Sequence, residues 1–336
     1  MKRFILAALV GTAATSGLLA QSANDVIIDR AQQPTTPPTP ASPASKAGTD
    51  EKGDLDGGTQ RMAETRKLPF KLSLAYDLQV FYTDNVFLQP NNEVETVVIA
   101  NTLVARAEGN SIAVGQGLLL PSLSLVYQRY NHDLFGGDQA RQNLDFDAYS
   151  IPFQLRYRCG NNWEFGFGIT GTAVYSLEGP PDYNLTYKSI STALTARKLV
   201  SLGRDHILSF GAGVTYFITD AEAPAGPLGF NADRNDKIDY TVDAGYYYLK
   251  DRWVVGPYAR LTYSDYLHFQ EGAFTDVSRS DLTGSIGVSV SYSITPWASA
   301  RIYSSYDWRT PQGDEIVDYS YKSANLGAGA TLSMSF

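Results

Sequence analysis

The chain ends on "NLGAGATLSMSF", twelve residues with no charged side chain and a strict alternation of character. Ala324, Leu326, Ala328, Ala330, Leu332, Met334 and Phe336 fall on one face, and Ser323, Asn325, Gly327, Gly329, Thr331, Ser333 and Ser335 on the other. A period of two belongs to a β-strand with one oily and one polar side. The same pattern recurs upstream. "KLSLAYDLQVFYTDN" sets Leu72, Leu74, Tyr76, Leu78 and Val80 against Lys71, Ser73, Asp77 and Gln79. "WEFGFGITGTAVYSL" sets Trp163, Phe165, Phe167 and Ile169 against Glu164, Gly166, Gly168 and Thr170. "DLTGSIGVSVSYSI" sets Leu282, Ile286, Val288 and Val290 against Asp281, Thr283, Ser285 and Ser289. Further strands are expected near 144–158, 207–219, 237–249, 253–265 and 298–309, with weaker patterns near 95–107, 116–131 and 183–199. With the terminal segment, near 316–336, the number is about 12, within a range of 10–14. Parity breaks between Tyr187 and Ile190, which predicts a bulge.

Strands this long exceed those of ordinary soluble sheets. They match the roughly 9 to 11 tilted residues that cross a bilayer. The connections alternate too: "RCGNNW", "LVSLGRDH", "YLKDRW" and "SITPWA" are short, while those such as "YNHDLFGGDQARQN" and "TDAEAPAGPLGFNADRND" are long. Only the link across 108–116 fits this rhythm less cleanly. Trp163, Trp253 and Trp297 follow short turns, and Phe336 falls at their level; Tyr175, Tyr216, Tyr240, Tyr263 and Tyr306 lie on the apolar face near the long connections. Ten residues at about 3.3 Å rise and a tilt near 40° climb about 25 Å, the height of an apolar belt between two aromatic girdles. The fold class is therefore all-β: a closed antiparallel transmembrane β-barrel. An even number of strands puts both barrel ends on the short-turn, periplasmic side. Mean hydropathy of −0.20 does not contradict this, since alternation averages away. A net charge of −8 argues against nucleic acid as a partner, and a single cysteine, Cys159, rules out an internal disulfide.

The start, "MKRFILAALVGTAATSGLLAQSA", has the basic, apolar and small-residue regions of a secretory signal, so residues 1–22 are expected to be removed. Residues 23–67 contain "QQPTTPPTPASPASKAGTDEKGDLDGG" and are read as a disordered, Pro-rich periplasmic tether, open to contact with a partner or the cell wall. Residues 68–336 form the barrel.

The ending "GAGATLSMSF", with Gly329, Leu332, Met334 and the terminal Phe336, resembles the C-terminal signal of bacterial outer-membrane β-barrel proteins. "YDLQVFYTDNVFL", Tyr76 to Leu88, is similar to the first strand of porin-like barrels. The resemblance implies residence in the outer-membrane bilayer, recognition by the outer-membrane assembly machinery, and pore formation. It carries over no substrate and no cofactor.

Inward parity falls on Arg156, Arg158, Glu164, Asp239, Asp243, Arg260, Asp281, Arg301, Asp307 and Arg309, which makes them candidate pore-lining groups. Charges of both signs fit a modest-width pore for small polar solutes or an export port. They fit equally a barrel plugged by its own ion pairs that displays extracellular loops and transports nothing. Long loops folding inward would give the same result. No catalytic residue, metal-ligand spacing or phosphate-binding loop stands out. A hydrolase at the rim would need His132 and His268 to meet carboxylates such as Asp133, Asp138 or Glu271, and His206 sits at the opposite end. The chain is expected not to be an enzyme.

Overall fold

In the computed structural model the described residues are 23–32, 70–91, 93–132, 137–177, 184–221, 232–268, 277–314 and 318–336. The expected signal, most of the expected tether, Asp133 and Glu271 lie outside them.

The strands are β1 Phe70–Thr83, β2 Thr96–Gly109, β3 Ile112–Val114, β4 Gly117–His132, β5 Phe146–Cys159 and β6 Trp163–Ser176. They continue as β7 Asn184–Ser201, β8 His206–Ala221, β9 Lys237–Lys250, β10 Trp253–Tyr266, β11 Ser280–Thr295, β12 Ala298–Pro311 and β13 Tyr321–Ser335. Each long strand pairs antiparallel with its neighbours; β2 pairs with β4, and β1 with β13 from Ser73↔Ser335 to Thr83↔Asn325. Twelve strands thus close into a barrel, and β3 is a short ribbon folded back on β4. That ribbon accounts for the irregular 108–116 link; its turn uses Gly115 at φ +56°, a conformation costly for other residues. Closure matters because an open sheet edge in lipid would leave backbone donors and acceptors without partners. The terminal residue takes part, since Phe336 N donates to Leu72 O at 2.8 Å while its ring is 74% exposed.

The outward faces carry the apolar residues. Leu72, Leu74, Tyr76, Leu78, Val80 and Tyr82 are exposed, whereas Asp77, Gln79 and Thr83 on the same strand are buried inside. Trp163, Trp253 and Trp297 are exposed at the short-turn end, with Tyr216, Tyr240, Tyr263 and Tyr306 at the other. The expected irregularity in β7 lies slightly earlier than parity suggested. Val174 pairs with Tyr187 but Tyr175 pairs with Leu185, leaving Thr186 as the extra residue. The bulge turns Tyr187 inward, where it is fully buried.

One element was not anticipated. Residues Ala23–Gln32, expected to begin the tether, form helix α1. Val26, Ile27 and Ile28 are 1%, 0% and 4% exposed, in one cluster with Val86, Leu88, Phe146, Val174, Tyr187, Ala221 and Tyr321. These partners sit at the long-connection ends of β5, β6, β7, β8 and β13 and in the β1–β2 connection. Helix α1 therefore occupies the outer half of the lumen. Three successive β-branched residues are a weak helix signal, and here the tertiary seat overrides it.

Candidate functional site in the barrel lumen

Inward parity on strands places polar side chains around a cavity of about 680 Å³. It extends from Asp29 on α1 and Arg309 on β12 down to Arg156 and Glu164 near the inner rim. Of the ten candidate residues, Arg156, Glu164, Asp239, Asp243, Arg260, Asp281, Asp307 and Arg309 border it. Arg158 and Arg301 do not border it; each is held by a carboxylate, Arg158 Nε 2.7 Å from Glu164 and Arg301 Nη2 2.7 Å from Asp77.

Below α1 the lumen is laced by pairs along single strands and across one or two strand spacings. Glu108 accepts from Arg106 at 2.8 Å and from Arg156 at 3.1 Å, and Arg197 stands 3.6 Å from Asp243. Asp77 also accepts from Thr331 Oγ1 at 2.6 Å. Asp307 accepts from Asn325 Nδ2 at 2.7 Å and Ser305 Oγ at 3.0 Å. Small residues give these groups room. A Cβ at Gly211 would collide with the Asp243 carboxylate.

The outer half is built differently. Arg309 Nη1 donates to Asp29 Oδ2 at 2.8 Å, and its Nε donates to Tyr319 O at 2.6 Å. Arg279 binds Asp281 through Nη2 at 2.7 Å and Nε at 3.1 Å. Its guanidinium lies 4.2 Å from the Tyr266 ring centre and 3.8 Å from that of Tyr319, within cation–π range of both. Lys237 stands 3.4 Å from Asp239. On α1, Arg30 Nη2 donates to Asn85 O at 2.9 Å and Gln32 Nε2 to Tyr187 OH at 2.9 Å. Burial alone would push the Asp29 carboxyl up, but Arg309, with Arg279 and Lys237 behind it, holds it below the ordinary carboxylate range.

The histidines do not assemble a rim catalytic group among the described residues. His132 is buried against Tyr130 and Phe146, and Asp145 Oδ1 accepts from its backbone N at 2.6 Å and lies 3.3 Å from Nδ1. Asp138 pairs with Arg141 at 3.5 Å. His206 Nδ1 meets Tyr246 OH at 2.6 Å near the inner rim. His268 lies 3.8 Å from Asp233 and 3.4 Å from Asp236, and these three groups hold their ligand atoms within 4.8 Å of one another. Asp236 is already engaged, since its Oδ1 accepts from Thr219 N and Oγ1.

No family model matches the sequence, and a search of curated proteins found no relative. Solved structures do match. An outer membrane channel from Pseudomonas putida F1 aligns over 84% of this chain and 100% of its own, with 12% identity and a TM-score of 0.50. The β domain of a Bordetella autotransporter, BrkA, aligns over 79% of this chain and 99% of its own, with 12% identity and a TM-score of 0.40. A KdgM porin aligns over 77% and 99%, with 10% identity and a TM-score of 0.39. At these identities the likeness is one of fold. The closed twelve-strand barrel and its outward apolar belt make this an outer-membrane β-barrel.

Proposed function

We propose that this outer-membrane barrel is a pore of modest width for small polar solutes, whose outer half is occupied by its own helix α1. The observation that carries the reading is the polar cavity of about 680 Å³ running beneath α1 toward the inner rim. A barrel serving only as a scaffold gains nothing from such a space, and a wall filled by its own side chains would leave none. With residues 1–22 removed as a signal, α1 would lie at the chain end. A chain end can leave a lumen by sliding, without threading a loop.

The apolar seat of Val26, Ile27 and Ile28 favours a second reading, a permanently closed barrel displaying its outer connections. Planar-bilayer conductance of the purified protein and of a variant lacking residues 23–32 separates the two. The pore reading expects small or intermittent currents from the full chain and several-fold larger, steady currents from the variant. Silence from both in every salt condition removes it. An export port for a polymer would additionally need α1 to be displaced during passage. The assembly machinery is proposed to read the terminal strand. Deleting Phe336 should lower surface insertion and leave unfolded protein in the periplasm; normal insertion would count against that signal.

A further inference from the structure

Asp29 is a carboxylate delivered to a cationic pocket by an element that is not part of the wall. Its Oδ2 meets Arg309 Nη1 at 2.8 Å, and the Arg309 side chain is only 4% exposed. Arg309 is fixed from behind by Tyr319 O and lies 4.9 Å from the Tyr321 ring centre, so its position does not depend on Asp29 alone. Arg279, over the Tyr266 and Tyr319 rings and paired with Asp281, and Lys237, paired with Asp239, also act on the same carboxyl. Asp29, Arg309 and Lys237 border the cavity with Asp239 and Asp281, so a solute in the lumen meets Arg309 and Lys237 from below.

We propose that Arg309, with Lys237 beside the same cavity, forms a binding site for small organic carboxylates in the outer lumen, and that Asp29 of α1 occupies it in place of the solute. Helix α1 and the solute then compete for one guanidinium. A planar guanidinium suits a carboxylate through charge-assisted, paired hydrogen bonds, and its tyrosine surroundings limit the water that would screen it. A neutral solute of the same shape gains none of this and does not displace Asp29.

The inference rests on the pore reading, and the test keeps the two apart. Lactate and its neutral analogue lactamide are compared at pH 7 on the full chain, on Asp29→Asn and on the variant lacking residues 23–32. Potassium chloride conductance tests the pore; its absence in all three chains overturns that reading without touching the site. Lactate should reduce the current of the two altered channels at concentrations at least tenfold below those of lactamide. The full chain should need about tenfold more lactate than Asp29→Asn. Calorimetric titration of the detergent-solubilised proteins reads the site without conduction. Lactate binding should appear in Asp29→Asn and vanish when Arg309→Gln is added, while circular dichroism stays that of a barrel. If lactate and lactamide act alike on both altered chains, or if Arg309→Gln leaves lactate binding unchanged, the carboxylate site is overturned. Should the deletion fail to insert, Asp29→Asn carries the test alone.

Discussion

The outer and inner halves of the lumen are lined by the same strands and the same alternation, yet only the outer half takes a charge partner and a filling from outside the wall. Inner charges pair within the wall: Arg106 with Glu108 on one strand, Arg158 with Glu164 across one short turn, Arg301 with Asp77 across β13. Space remains between them. The outer half collects Arg309, Arg279 and Lys237 among tyrosines and satisfies Arg309 with a carboxylate 280 residues away in sequence. It is also roofed by aliphatic residues from α1 and from the β1–β2 connection. One wall therefore encloses a cavity lined by its own side chains in one part and a seated helix in another. The difference lies in Arg309, whose carboxylate comes from α1, whereas Arg279 and Lys237 pair with Asp281 and Asp239 two residues away.

The comparison breaks most readily at Ile27. Its side chain is fully buried, so Ile27→Asp loses roughly 1.5–3 kcal/mol of burial and adds the several kcal/mol cost of an unpaired buried charge. Conductance should rise toward that of the chain lacking α1, with barrel melting little changed. Unaltered conductance would mean that α1 does not obstruct the lumen. Acid gives the next largest effect. Asp29 has its pKa lowered below the ordinary 3.8, so its contribution to seating α1 is fully present above that value and is lost as pH falls through the lowered one. The cations that hold it ionised are Arg309, Arg279 and Lys237, none of which loses its charge in that range. Current through the full chain should increase below about pH 4, and Asp29→Asn should flatten that response.

Smaller effects are expected in the inner half. Arg156→Gln removes one of two cations held by Glu108, and should shift reversal potentials toward cations while leaving α1 seated. A shift in acid-induced opening in this variant would show that the two halves are coupled. Gly211→Ala is the mildest change: its Cβ displaces the Asp243 carboxylate and loosens the pair with Arg197. A small change in ion selectivity, read in the same bilayer measurement, is the expected result.

Much of the wall was legible from residue order alone. Leu332, Met334 and Phe336 alternate with Thr331, Ser333 and Ser335 because a strand turns successive side chains to opposite faces, and no partner strand is needed to see it. Local ion pairs were legible for the same reason, since Arg158 and Glu164 flank one turn. Position along the strand also gave the inward parity of Arg309 and Asp281, though not what meets them. The bulge was felt in the pattern of β7, but its site at Thr186 came from pairing with β6. Tyr187, turned inward by that bulge, became the partner of Gln32.

Helix α1 had no comparable signature. "DVIID" sits beside a Pro- and Thr-rich stretch, and a run of Val26, Ile27 and Ile28 speaks for strand or coil rather than helix. The cluster it joins is drawn from seven strand ends and two connections that are dispersed through the chain. The sequence by itself determined the cylinder, its oily exterior and its polar interior, because a two-residue period is a local property of the backbone. Only the tertiary structure decided what fills that interior, because burial of α1 depends on surfaces that exist once the barrel has closed.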